Sequence, residues 1–95
     1  MARSAYREAV GYFEDALRAL QHLPVSQDTS AQAIDLRFNL RQALFPLGEF
    51  GRILDDLRHA ASLAESLGDP RRLGRVYSYL TNHYRVLGEH DHAVA

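Results

Sequence analysis

Cysteine and tryptophan are absent from this 95-residue sequence, and every one of its basic side chains except histidine is arginine. Without cysteine the chain has no disulfide, no thiolate zinc site and no thiol nucleophile. No run of roughly eighteen apolar residues is present, so no segment is a candidate for crossing a membrane. The first residues, Met1 to Tyr6, lack the apolar stretch of a secretory signal. We therefore expect a soluble, cytoplasmic protein.

A strong charge of either sign is also missing. Eleven basic and twelve acidic residues give a net charge of −1, whereas nucleic-acid-binding domains usually carry a strongly basic face. The chain is too short for a dinucleotide-binding domain plus a substrate domain, and it contains no P-loop, GxGxxG, GxSxG or HExxH motif. We therefore expect no enzyme activity, no cofactor, no nucleic-acid partner and no membrane partner.

Apolar residues recur at helical spacing in four segments, and the first two are separated by a loop. In the first segment, every position on one face of the predicted helix is apolar or small: Tyr6, Ala9, Val10, Phe13, Ala16, Leu17 and Leu20. Pro24 and the polar residues 26–30 predict that this helix ends near His22. Thr29 and Gln32 have the spacing of a capping box, which predicts the start of a second helix.

The second helix is apolar on two neighbouring faces, which is typical of a helix packed between two others. One face carries Ala33, Leu36, Leu40, Ala43, Leu44 and Leu47, and the other carries Ile34, Phe38 and Phe45. The third helix has one stripe, made of Ile53, Leu54, Leu57, Ala60, Ala61, Ala64 and Leu67. The fourth has Leu73, Val76, Tyr77, Leu80, Tyr84 and Leu87. No segment alternates with strand period, so the predicted fold class is all-α.

Proline and glycine mark the predicted turns. Pro46 and Gly48 predict a kink and a left-handed turn after the second helix. Gly68 is expected to cap the third helix, and Asp69 before Pro70 is the preferred order at a helix start. We also expect Gly88 to end the fourth helix, with Glu89 to Ala95 beginning a fifth. Short connections of this kind predict antiparallel neighbours.

The sequence matches itself when it is shifted by 40 residues. The shift places Leu47-Gly48-Glu49 on Leu87-Gly88-Glu89 and Leu40 on Leu80. A shared turn triplet in the same register as shared apolar positions indicates a structural repeat made of stacked helical hairpins.

These positions resemble the tetratricopeptide repeat family, whose signature includes Leu-Gly and an aromatic on a first helix and Ala-x-x-x-Phe on a second. Three ordered segments carry the resemblance: Ala9-x-x-x-Phe13 with Ala16; Leu40, Ala43, Leu44, Gly48-Glu49-Phe50, Ile53-x-x-x-Leu57 and Ala60; and Tyr77, Leu80, Tyr84, Gly88-Glu89-His90 and Ala93-Val94. Arg41 and Thr81 replace the glycine of the family pattern, and Arg37 and Tyr77 replace its tryptophan.

The resemblance implies a single domain over residues 1–95, built of antiparallel helical hairpins stacked as a fragment of a right-handed α-solenoid. The second helix of one repeat would cover about 3–22, a full repeat about 29–68, and the start of a third about 69–95. The period exceeds the usual 34 residues of the family. It is similar to the elongated arrays of bacterial signalling-ATPase and nucleotide-cyclase-like regulators, which implies a non-catalytic interaction or scaffolding module within such a protein.

The resemblance also implies a peptide groove lined by the first helix of each repeat. The groove-facing residues would be Asp35, Phe38, Gln42 and Phe45 on the second helix and Arg75, Ser78, Asn82 and Arg85 on the fourth. Asn82 matches the asparagine of carboxylate-clamping repeats, and Arg75 and Arg85 would suit an acidic peptide. The partner implied is therefore a protein or peptide of acidic character.

Two alternatives to partner binding remain open. His83, His90 and His92 lie near Glu89 and Asp91, a donor set that suits Zn²⁺ or Ni²⁺. On a helix, however, His90 and His92 point in different directions, and His83 at an apolar repeat position is better explained as a packing residue. We therefore assign no metal site.

The second alternative is a structural unit that assembles with itself and has no outside ligand. Repeat proteins require polar terminal caps, and the sequence shows none. We therefore expect homo-oligomers formed through uncapped ends, by stacking or by helix exchange.

Overall fold

The computed structural model describes the backbone of residues 3–94 and the side chains of residues 3–88. It contains four α-helices: α1 (Arg3–Gln21), α2 (Gln27–Leu44), α3 (Phe50–Leu67) and α4 (Pro70–Val94). No strand occurs among the described residues, which confirms the all-α prediction. None of these helices combines the length and the apolar character needed to cross a membrane.

Helix α2 is the centre of the core, as its two apolar faces predict. It packs against both α1 and α3, and α4 packs against α3. The buried apolar residues are Val10, Ile34, Phe38, Leu40, Ala43, Leu44, Ile53, Leu57, Ala60, Ala64 and Val76. The small residues Ala60 and Ala64 on α3 are fully buried. Nine of these eleven residues belong to α2 and α3, so this helical pair forms the body of the core.

Neighbouring helices run antiparallel, and alternate helices run in the same direction. Arg37 contacts Asp56, and Phe45 contacts Phe50, so residue numbers rise on α2 as they fall on α3. Across α2 and α4 the numbers rise together, since Asp35 bonds to Arg72 and Phe38 lies under Arg75. Helices α2 and α4 therefore lie side by side and parallel.

Local capping explains most of the helix boundaries. Gly48 and Gly68 have φ of 70° and 68°, the left-handed conformation predicted for them. Asp69 caps α4, because its carboxylate accepts the Arg72 backbone N–H at 3.1 Å. Pro70 then occupies the first helical position, where its missing N–H costs nothing.

The predicted capping box of α2 is wrong by one turn. Ser26, rather than Thr29, is the N-cap, and α2 begins at Gln27. The Ser26 hydroxyl accepts the Thr29 N–H at 3.2 Å, and the Thr29 hydroxyl accepts the Ser26 N–H at 2.9 Å. Two hydroxyl side chains three residues apart thus satisfy the N–H groups of Ser26 and Thr29, one turn before those of Thr29 and Gln32 that the predicted box would satisfy.

The predicted end of the fourth helix at Gly88 is also wrong. Helix α4 continues through Gly88 to Val94, so the predicted fifth helix from Glu89 to Ala95 does not form over residues 89–94. The two glycine triplets therefore lie in different surroundings. Pro46 precedes Gly48 and cannot donate to the helix, whereas Val86 precedes Gly88 and keeps its N–H. Glycine alone lowers helix propensity without ending the helix.

Candidate binding site on helices α2 and α4

Arg72 ties the first turn of α4 to the middle of α2. Its Nε and Nη2 donate to the two carboxylate oxygens of Asp35, each at 3.0 Å, and its Nη1 donates to Asp69 at 2.7 Å. The bonds from Arg72 lower the pKa of Asp69, and the bonds to Asp35 and Asp69 raise the pKa of Arg72. Arg72 is therefore a charged residue held in one geometry by two carboxylates.

Arg75 is held in a different way, by aromatic rings. Its guanidinium carbon lies 4.6 Å from the ring centre of Phe38, and its Nε donates to the Tyr79 hydroxyl at 3.1 Å. Among the described side chains no carboxylate lies within ion-pair distance of Arg75. The positive charge of Arg75 is thus fixed in place and is not neutralised.

The same arrangement continues along the interface. Tyr79 packs edge to face on Phe38, with ring centres 5.3 Å apart. The guanidinium of Arg41 lies 4.2 Å from the Tyr79 ring centre and 5.5 Å from that of Phe45. Arginine and aromatic side chains therefore alternate from Arg75 to Phe45, and stacking of this kind restricts both groups.

A cleft opens where α4 begins, and we name it the arginine cleft. Its volume is about 340 Å³, and its lining residues are Asp35, Phe38, Asn39, Arg71, Arg72 and Arg75. Three guanidinium groups and one carboxylate leave these lining residues with a net charge of +2. The cleft is chemically suited to an anion.

The structure brings Asp35, Phe38 and Arg75 together at the cleft. Among the described residues, no hydrogen bond or ring contact across α2 and α4 involves Gln42, Ser78, Asn82 or Arg85. Phe38 is buried in the core, whereas Gln42 and Ser78 are exposed. Phe45 is 39% exposed and packs on Phe50. Asp35 is engaged by Arg72, as described above.

On α4 the predicted residues beyond Arg75 contact each other or their own helix. The Asn82 side-chain oxygen accepts a bond from Arg85 at 2.9 Å, and the Ser78 hydroxyl donates to the Gly74 carbonyl at 3.1 Å. Arg85 is exposed and forms no ion pair with a described carboxylate. Among the described side chains, Arg85 is thus a second arginine on α4 without a carboxylate partner.

Four residues that build this site are absent from the predicted groove. Arg71, Arg72 and Asn39 line the cleft, and Tyr79 orients Arg75. The sequence nevertheless carries a signal for Arg71 and Arg72, because cations at the start of α4 oppose the helix dipole unless they bind a partner or pair with Asp69, as Arg72 does. The i, i+4 spacing of Arg75 and Tyr79 is a local signal that points to their contact. The contact between Arg72 and Asp35 has no local signal, because it spans 37 residues of sequence.

His83 is a packing residue. It is 4% exposed and lies against the rings of Phe50 and Tyr84. Burial, with a smaller effect from Arg41, lowers the pKa of His83. His90 and His92 of the alternative metal site lie outside the described side chains. Among the described residues no group of three or more His, Asp or Glu side chains could hold a metal ion.

A buried ion pair joins α2 to α3 away from this site. Arg37 Nη1 donates to Asp56 Oδ1 at 3.1 Å, and Asp56 is 4% exposed. The other carboxylate oxygen of Asp56 has no hydrogen-bond partner among the described residues. Burial raises the pKa of Asp56 to about 7, although Arg37 acts in the opposite direction. The pair is a structural element whose charge depends on pH.

Comparison of the chain with protein-family models, with curated proteins and with solved structures finds no match.

Proposed function

We propose that this chain is a non-catalytic, cytoplasmic helical-repeat module that binds an acidic protein or peptide across α2 and α4. The parallel arrangement of these two helices supports a repeat of the tetratricopeptide type, in which equivalent helices of successive hairpins lie side by side. The shared Leu-Gly-Glu triplet gives this repeat no support, because Gly48 lies in a turn and Gly88 lies within α4. A role as part of a larger bacterial regulator belongs to the same proposal.

The acidic character of the partner follows from the charges on α4. Helix α4 contains four arginines, all of them in residues 70–88, and its two acidic residues, Glu89 and Asp91, come after them. Arg72 is paired with carboxylates, but Arg75 is fixed by aromatic groups alone. A guanidinium that is already ordered loses less conformational entropy when it binds a carboxylate. The aromatic support of Arg75 is the single observation that carries the proposal.

The test is the affinity of the chain for a fluorescent peptide of acidic residues, measured by anisotropy. We expect Arg75→Glu and Arg85→Glu each to weaken binding by about tenfold or more, since each reverses a charge on the binding surface. Arg58→Glu is the matched control, because Arg58 is exposed on α3. Equal losses in all three variants would show that only overall charge matters and would refute the proposal.

Self-assembly is a second candidate function, and the outer helices favour it. Tyr12 on α1 and Tyr77 and Tyr84 on α4 are large apolar residues that are about half exposed or more. Exposed aromatic residues are enriched at protein–protein contacts, and these lie on the two outer helices. We expect light scattering to show a dimer or larger species that Tyr84→Ser weakens. A monomer at tens of micromolar would rule this candidate out.

A further inference from the structure

Two guanidinium groups that line the arginine cleft, those of Arg71 and Arg75, form no ion pair with a described carboxylate. We propose that this cleft binds a phosphate monoester dianion, such as a phosphorylated side chain. The inference rests on the proposed function, because it names the chemical group of the acidic partner that the beginning of α4 would recognise.

Arg72 builds the cleft but contributes little net charge to it. Its bonds to Asp35 and Asp69 occupy its Nε and both terminal nitrogens. These two carboxylates balance its charge and hold the start of α4 against α2. We therefore assign Arg72 a positioning role and assign ligand binding to its neighbours.

Arg75 and Arg71 supply the available charge. The Nε–H of Arg75 donates to the Tyr79 hydroxyl, and one face of its guanidinium lies on the Phe38 ring. The two terminal nitrogens of Arg75 make no hydrogen bond to any described side chain. Arg71 is exposed at the opening and forms no ion pair with a described carboxylate. Two guanidinium groups thus line one cleft.

The N-terminus of α4 is not the source of this site. Asp69 already accepts the backbone N–H of Arg72 at 3.1 Å and so caps the helix. A ligand in the cleft would therefore be recognised by side chains. The guanidinium fork matches phosphate oxygens through paired hydrogen bonds. Asn39, which also lines the cleft, adds an amide donor.

A phosphate monoester suits the two guanidinium groups that have no carboxylate partner better than a single carboxylate does. Asp35 and Asp69 are both bonded to Arg72, so the three arginines and two carboxylates here have a net charge of +1. The preference for phosphate therefore follows from geometry: Arg71 and Arg75 can each direct paired N–H groups at the ligand, and a phosphate monoester offers three oxygens that carry about −1.5 to −2, whereas a carboxylate offers two. The cleft volume of about 340 Å³ leaves room for the phosphate and for the atoms that link it to a peptide.

The test is an amide chemical-shift titration of the full chain. The probes are inorganic phosphate, N-acetyl-phosphoserine amide, and the same amide without phosphate. We expect both phosphate compounds to give saturable shifts at Asn39, Arg71 and Arg75, and the unphosphorylated compound to give none. Binding should weaken below pH about 6, where the phosphate takes up its second proton. Saturation by inorganic phosphate alone would identify the free ion as the ligand and overturn the monoester assignment.

Two glutamine variants and one control make the assignment specific. Arg71→Gln and Arg75→Gln should each raise the dissociation constant of the phosphoserine probe by about tenfold or more. Arg58→Gln should leave it unchanged. Arg71 is exposed, so Arg71→Gln keeps the test valid even if Arg75→Gln disturbs folding. Shifts that do not saturate, or equal dissociation constants in all three variants, would overturn the inference.

The phosphate titration and the acidic-peptide measurement can succeed or fail independently. Phosphate binding that depends on Arg71 and Arg75, in a chain that ignores acidic peptides, would keep the cleft assignment and refute peptide capture. Acidic peptide binding that depends on Arg75 and Arg85, with no saturable phosphate binding, would do the reverse.

Discussion

Neutralising Asp56 should remove a large part of the pH dependence of folding. Burial raises the pKa of Asp56 from 3.8 to about 7 in the folded chain. The folded state therefore binds a proton more tightly than the unfolded state does between these two values. The stability that Asp56 contributes is fully present below pH 4 and is lost as the pH rises toward 7. A shift of about three units corresponds to roughly 4 kcal/mol of unfolding free energy over this window.

The assay is urea unfolding followed by circular dichroism at several pH values between 4 and 8. Asp56→Asn cannot ionise, so its unfolding free energy should lack the decline seen in the parent chain. Asp55→Asn is the matched control, because Asp55 is the exposed neighbour on the same helix, and it should keep the decline. If Asp56→Asn and the parent chain show parallel curves, the carboxylate of Asp56 is not the buried group that the structure describes.

His83 changes the stability with pH in the opposite direction, and its effect cancels when the three chains are compared. Its pKa is lowered from 6.5 by burial, so the unfolded chain takes up this proton first as the pH falls. The stability that it contributes is present above pH 6.5 and is lost below it. All three chains retain His83, so the difference between their curves isolates Asp56.

Three further predictions concern stability and are measured by the same unfolding assay. Leu57→Ala should cost about 2–5 kcal/mol, because Leu57 is fully buried, whereas Leu23→Ala, at an exposed position, should cost far less. Gly48→Ala should lower the free energy of unfolding by about 1–2 kcal/mol, because the φ of 70° at Gly48 disfavours a residue with a Cβ. Gly88→Ala should instead raise it by up to about 1 kcal/mol, since Gly88 is helical with open space around it. A loss on Gly88→Ala would contradict the continuous α4. Ser26→Ala should lower the free energy of unfolding by about 1 kcal/mol through loss of the N-cap. An unchanged free energy of unfolding would mean that Thr29 is the N-cap after all.

The helices and most turns were predictable because their signals are local. Apolar spacing fixes which face of each helix is buried, and Pro46 with Gly48, or Gly68 with Asp69, act within a few residues. The error in the N-cap of α2 is also local, because three hydroxyl residues, Ser26, Thr29 and Ser30, lie close together in the sequence. The type of cap was therefore predictable, but its position was not.

The error at Gly88 has a different cause. The 40-residue shift aligns Gly88 with Gly48 and suggests equal turns, but a turn depends on neighbours that the shift does not preserve. Pro46 stops α2, and its counterpart Val86 allows α4 to continue. Similarity between two segments therefore predicted the faces of the helices better than it predicted where they end.

For the candidate site, only the helix faces that carry it were predictable from the sequence. The repeat register placed Asp35, Phe38 and Arg75 on the same interface, where the structure also has them. The partners of each side chain depend on how α2 and α4 pack, which no local pattern encodes. The pairing of Arg72 with Asp35 could therefore come only from the structure, whereas the contact of Arg75 with Tyr79 has a local signal in its i, i+4 spacing.

The parallel contact between α2 and α4 is the basis for the binding surface, and it is tested most directly by nuclear Overhauser effects between ring protons. Phe38 and Tyr79 have ring centres 5.3 Å apart, and Phe45 and Phe50, across α2 and α3, have centres 5.8 Å apart. We expect cross-peaks within both pairs. Cross-peaks for Phe45 and Phe50 without any for Phe38 and Tyr79 would mean that α4 does not lie against α2, and the proposed site would not exist.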